Sequence, residues 1–208
     1  MVPGERSLFA GVGEGSFFTL DRCTNDSSDT TWLGWFSLMP HGFDVSRVFV
    51  SAPGDLEMDR QACHDVIAEV NEATAMPEKI LLAEVALRDN AHLENFRSAI
   101  SDNVRWSTYF IQVFEDDWGP RSLFRKLFLL AEECRSNAEM PMRGLVVCLK
   151  DAPHETDAQV LAFRSELEGW KSAQIIRYKT VDEMKAQLAG VLNEWVQTLI
   201  AEKTAVRA

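Results

Sequence analysis

The amino-acid sequence predicts an α/β protein built on a five-stranded parallel sheet in three layers, with strand order 2-1-3-4-5. Two observations carry the prediction. From Arg47 onward, short apolar runs alternate with stretches of helical period, the pattern of repeated βα units. The runs and the helical stretches each number five, the count of a doubly wound domain with that strand order. A third observation bounds the size: 208 residues, 46% of them hydrophobic, suit one substantial core with an appendage.

Val48-Phe49-Val50 is the first strand, ended by Ala52-Pro53-Gly54. A helix over 55–73 follows, because Leu56, Cys63, Val66, Ile67 and Val70 share one face, and Asp55 is placed to cap it. The second strand is Ile80–Val85, followed by a polar loop at Arg88-Asp89-Asn90 and a helix over 93–104 with Phe96 and Ile100 inward. Tyr109–Phe114 is the most apolar strand and so belongs mid-sheet, covered on both faces. The acidic loop 115–120 leads to a helix over 121–137 that offers Leu123, Leu127, Leu130, Ala131 and Cys134 for packing. Leu145–Leu149 is the fourth strand and Ala173–Tyr178 the fifth. Thr156 with Gln159, and Thr180 with Glu183, fit capping boxes for the last two helices. The final helix carries the stripe Met184, Leu188, Val191, Leu192, Trp195, Val196 and Leu199. This is the element count of a flavodoxin-like domain.

Residues 1–45 read as an N-terminal extension, 46–203 as the α/β domain and 204–208 as a tail. The extension holds six of the eleven glycines, the polar run Thr24–Asp29 and the aromatics Phe17, Phe18, Trp32, Trp35 and Phe36. Ser16–Leu20 and Thr31–Met39 are candidate short strands within it. Gly11-Val12-Gly13-Glu14-Gly15 lacks both the later glycine of a dinucleotide fingerprint and the Lys-Ser/Thr of a P-loop, which makes it a loop.

Asp and Glu outnumber Lys and Arg 32 to 21, a net charge of -11 that repels a phosphate backbone and argues against direct nucleic-acid binding. No apolar run approaches the ~18 residues of a membrane span, and the start lacks the basic and apolar regions of a signal peptide, so the expected location is the cytoplasm, away from membranes. Cys23, Cys63, Cys134 and Cys148 are too scattered for a disulfide framework or a zinc site and read as buried free thiols. His41, His64, His92 and His154 have no catalytic partner at a diagnostic spacing.

The stretch Arg47–Arg60, which reads RVFVSAPGDLEMDR, resembles the opening of a bacterial TIR-like family of unknown function. Such domains are often fused ahead of STAND-type NTPases. Phe110–Gly119 is similar to that family's third strand and the turn after it, and Ser122, Phe128 and Ala131 to the following helix. The likeness covers about 46–200. It implies a signalling or interaction module in bacterial stress or phage defence that binds a protein partner, self-associates, or takes a nucleotide-type signal such as NAD. Active TIR domains place a glutamate on the helix after the third strand. Here that turn reads Ser122-Leu123-Phe124-Arg125-Lys126-Leu127-Phe128 without a carboxylate, which argues against conventional NAD cleavage, although a shifted alignment brings Glu132 or Glu133 near. Trp32, Trp35, Trp106 and Trp118 are candidate interface anchors.

Open α/β sheets bind ligands beyond the carboxyl ends of their strands, at the point where strand order reverses. The residues expected there are Ser51, Gly54, Asp55, Glu84, Asp116, Trp118 and Ser122, with no resident metal or certain cofactor. The alternative function is hydrolysis or transfer at an N-glycosidic bond of NAD or a nucleoside, with Glu84 or Asp117 as the catalytic carboxylate. Asp116-Asp117 with Glu115 and Glu84 form an acidic group suited to Mg²⁺. A response-regulator mechanism requires an acceptor aspartate where Phe114 stands.

Overall fold

A computed structural model describes residues 42–86, 100–117 and 122–207. Its five strands are β1 (Asp44–Ser51), β2 (Ile80–Ala86), β3 (Tyr109–Phe114), β4 (Gly144–Lys150) and β5 (Gln174–Tyr178). They form one sheet in the order β2-β1-β3-β4-β5, and every pair is parallel, as expected. The helices are α1 (Glu57–Val70), α2 (residues 100–105), α3 (Leu123–Ser136), α4 (Ala158–Gly169) and α5 (Val181–Arg207). The expectations for 1–41, including the glycine-rich loop, the candidate short strands, Trp32, Trp35, Cys23 and His41, lie outside the described residues. So do Phe96, His92 and Trp118.

Alternation along each strand divides the core. Val48, Val50, Ile111, Val113, Val146, Cys148 and Ile176 face α1 and α5. Phe49, Phe110, Phe114, Leu145, Val147 and Leu149 face α2, α3 and α4. All six residues of β3 are buried, which fits its central place. On the first face the Tyr109 and Trp195 rings stack at 4.2 Å above Gly144, where an added Cβ would come within 3.1 Å of Trp195 Nε1. The edge strand β2 is tied down by Asn71, whose amide donates to the Leu82 carbonyl and accepts from the Leu82 N–H, both at 2.9 Å.

Several local expectations are corrected. Asp55 does not cap α1: the chain enters through a 3-10 turn, Gly54–Leu56, and no side chain caps either helical start. Beyond Val70 the helix widens into a π turn, Asn71–Ala75, which swings the Asn71 amide onto β2. Asp157, not Thr156, caps α4 by accepting from the Gln159 N–H at 2.7 Å, because a carboxylate two residues away reaches that amide. The Thr180–Glu183 box forms as expected, with Glu183 accepting from the backbone amides of Lys179 and Thr180. Residues 204–207, expected as a tail, continue α5. Cys63, Cys134 and Cys148 are buried free thiols.

Candidate functional site

Strand order reverses between β1 and β3, and there Ser51, the last residue of β1, sits in register with Gln112. Both side chains point to the face shared by Phe49 and Phe110, whose rings stack in parallel at 5.6 Å. Both residues are fully buried, yet Ser51 Oγ and Gln112 Oε1 lack a hydrogen-bond partner. Gln112 spends only its amide, Nε2, on the Val113 carbonyl at 2.8 Å. One free hydroxyl and one free acceptor therefore lie side by side at the reversal.

A second polar assembly closes the carboxyl ends of β3, β4 and β5. Lys150 ends β4 and reaches Glu115 Oε2 at 3.2 Å and Asp59 Oδ2 at 3.5 Å. Asp59, only 3% exposed, also accepts from the Tyr178 phenol at 2.7 Å. Burial works to lower the Lys150 pKa, but the Glu115 and Asp59 carboxylates outweigh it and hold the ammonium above its usual value. Burial, followed by the Asp59 charge, pushes the Tyr178 hydroxyl well above the ordinary phenol range. Arg164 on α4 donates to the carbonyls of Glu115 and Lys150, clamping the two strand ends together.

Outside this assembly lies a field of one sign. Partial burial raises the Asp116 carboxyl pKa, and the charges of Glu115, Glu155, Asp55 and Asp117 raise it further. These carboxylates therefore share one region, yet among the described residues no three are arranged to hold a metal ion. The Mg²⁺ expectation gains no site there.

The expected site residues separate. Ser51 lies buried at the reversal, and Asp55, Asp116 and Asp117 sit exposed in the acidic region. Gly54 has open space around its Cβ position, so nothing in the structure requires a glycine there. Glu84 does not join them: it lies inside β2 and pairs with His64 Nδ1 on α1 at 2.7 Å, a partnership across twenty residues that spacing did not reveal. Ser122 is exposed at the start of α3 in the left-handed region, φ 55°, without capping it. Glu132 lies late in α3 and accepts from the Ser172 hydroxyl at 2.8 Å, just before the amino end of β5 and opposite the carboxyl crevice. Phe114 is fully buried, which leaves no acceptor for phosphoryl transfer.

Sequence reasoning missed Gln112, Asp59, Lys150, Tyr178 and Arg164. The first two left a signal: each is a polar residue in an otherwise apolar run, Gln112 within β3 and Asp59 on the inward stripe of α1.

A groove of about 460 Å³ opens beside β4 and β5 at their carboxyl ends, lined by Asp151, Arg164, Arg177, Tyr178, Lys179 and Glu183. Two further grooves, of about 500 and 650 Å³, lie around Arg143 and Glu202 at the amino end of the sheet, away from this chemistry. Among the described residues no helix is long and apolar enough to cross a membrane.

Fold and site together define a doubly wound α/β protein with a polar carboxyl-end crevice. No protein-family model matches the chain, and no curated protein matches it. Similar solved structures include the CMP N-glycosidase BcmB of Clostridium botulinum, at 12% identity and a TM-score of 0.44, covering 69% of this chain and 98% of that one. The translation elongation factor SelB of Methanococcus maripaludis, in complex with a GTP analogue, matches at 12% identity and 0.44, covering 73% of this chain and 34% of that one. The PilB minor pilin of Streptococcus sanguinis, as its D319A mutant, matches at 10% and 0.42, covering 78% and 64%. At these levels none assigns an activity, ligand or partner to this chain.

Proposed function

We propose that the chain is a TIR-like recognition module that binds a nucleotide-type ligand at the β1–β3 reversal and relays that binding to a protein partner or a second copy of itself. The observation that carries this reading is the adjacent pair of buried, unpartnered atoms Ser51 Oγ and Gln112 Oε1. A buried polar atom without a partner costs ~1–3 kcal/mol, so two side by side call for an occupant that satisfies both. The N–H and O–H edges of a base, nicotinamide or ribose supply such groups. The carboxylate-free turn 122–128 and the engagement of Glu132 with Ser172 favour binding over NAD cleavage. Trp106, 66% exposed, offers an anchor for the partner.

One observation favours the alternative, cleavage or transfer at an N-glycosidic bond: Asp55, Glu115, Asp116 and Asp117 gather at the carboxyl ends of the strands, and partial burial with these neighbouring charges raises the Asp116 pKa, the direction a general acid needs. Calorimetric titration with NAD, NADP and a nucleoside panel, with chromatography of the mixtures, tests both readings. Binding without release of base, weakened at least ~10-fold in Ser51→Ala and in Gln112→Leu, is expected. Undiminished binding by both variants would sink the switch-point reading, and release of base abolished by Asp116→Asn would replace it with the glycosidic one.

A further inference from the structure

We propose that the groove beside the carboxyl ends of β4 and β5 is an anion site, built to take the phosphate of a small phosphomonoester with Arg164 as its fixed donor. This goes beyond the switch-point reading and rests on different residues.

The argument begins with the Arg164 guanidinium. It is partly buried, and both of its hydrogen bonds go to main-chain carbonyls, those of Glu115 and Lys150. Carbonyls fix its orientation without neutralising its charge, and among the described residues no carboxylate pairs with it. A planar guanidinium has five N–H donors, so three remain after this clamp. Its orientation is thus set in advance, which lowers the cost of binding a tetrahedral oxyanion.

The rest of the lining is charged as well. The cations Arg164, Arg177 and Lys179 line the groove beside the anions Asp151 and Glu183. Of the two anions, Glu183 is engaged and Asp151 is held loosely. Glu183 accepts from the backbone amides of Lys179 and Thr180, and Asp151 meets Lys179 only at 4.0 Å, where both side chains are largely solvated. A pair so exposed contributes little and leaves the Lys179 ammonium able to turn to a stronger anion. The groove holds about 460 Å³, within the range of small-ligand sites. The acidic region around Asp116 disfavours a polyphosphate reaching across the crevice, so a single phosphate is the better fit.

Titration of the full-length protein followed by amide NMR at fixed ionic strength tests the proposal with four probes: inorganic phosphate, sodium chloride, a nucleoside monophosphate and its parent nucleoside. Phosphate and the monophosphate are expected to shift the amides of 151, 164 and 177–180, whereas chloride and the bare nucleoside leave them in place. Lys179→Gln, on the exposed rim, is expected to weaken phosphate binding about threefold, and Arg164→Lys, which cannot hold both carbonyls and the ligand, at least ~10-fold. Urea unfolding of Arg164→Lys separates lost binding from lost folding, and Lys179→Gln carries the test should the first variant unfold. Shifts equal in chloride, or undiminished in both variants, overturn the anion site. The nucleoside arm keeps the two readings apart: shifts near Ser51 and Gln112 with the bare nucleoside support the switch point whatever happens in the groove.

Discussion

Replacing Tyr178 by Phe removes one oxygen and nothing else from the centre of the carboxyl-end assembly. Tyr178 is 3% exposed, so no water replaces the lost donor, and Asp59, equally buried, keeps among the described residues only Lys150 at 3.5 Å. A hydrogen bond to a charged group is worth ~1.5–3 kcal/mol, and Phe preserves the ring packing, which puts the expected loss near 2 kcal/mol. At a urea slope of about 2 kcal/mol/M, that loss lowers the unfolding midpoint by about 1 M with the slope unchanged.

Lys150→Met removes the other donor while keeping the apolar stem, and alone it should cost a similar amount. In the double variant the buried carboxylate has neither partner, and its desolvation goes uncompensated. The double loss should therefore exceed the sum of the singles by ~1 kcal/mol, read from the four midpoints of the cycle. A Tyr178→Phe unfolding free energy within ~0.5 kcal/mol of the parent, or strict additivity, would refute the idea that Asp59 depends on these two donors.

Further outcomes follow from other parts of the structure. Gly144→Ala drives a methyl against the Tyr109–Trp195 stack and should cost ~1–3 kcal/mol, accompanied by a changed tryptophan fluorescence; an unchanged melting curve and spectrum would show that the stack yields freely. Asn71→Ala breaks both bonds to Leu82 and should destabilise by ~2 kcal/mol, with faster hydrogen exchange confined to β2 if the amide pins that edge. Asp116 binds its proton more tightly folded than unfolded, so its contribution favours the fold at low pH and is lost as pH rises through the folded pKa. Asp116→Asn should therefore be more stable than the parent at pH 7 and lose that advantage below the unfolded value of ~3.9, as read from urea midpoints across pH. An advantage that persists at pH 3 would place its origin elsewhere.

Much of the fold was legible because apolar period and length report what each segment buries. The run Tyr109–Phe114 is covered on both faces and reads so directly, and the stripe from Met184 to Leu199 lies against the sheet as its spacing requires. The start of α1 was less legible. Asp55 has the right chemistry for a cap, but capping needs extended backbone, and Pro53 leads into a 3-10 turn instead. The strand order followed from the alternation of elements rather than from any single residue.

The candidate site was legible only in part, and the reason lies in how polar groups find partners. Glu84 and Asp117 look alike in sequence as acids beside strands, but Glu84 points at α1, where His64 takes it, and Asp117 lies in the acidic region. That difference depends on which face of β2 a residue occupies and on the register between helix and sheet, and neither can be read from spacing along one chain. A polar residue inside an apolar period is a better guide, because burial leaves it two outcomes: a partner brought from afar, or a polar atom left unpaired. Asp59 took the first and drew Lys150 and Tyr178 to it across the sheet. Gln112 divided itself between the two: its amide bonds the neighbouring Val113 carbonyl, while Oε1 stays unpaired beside Ser51, where the strand order reverses.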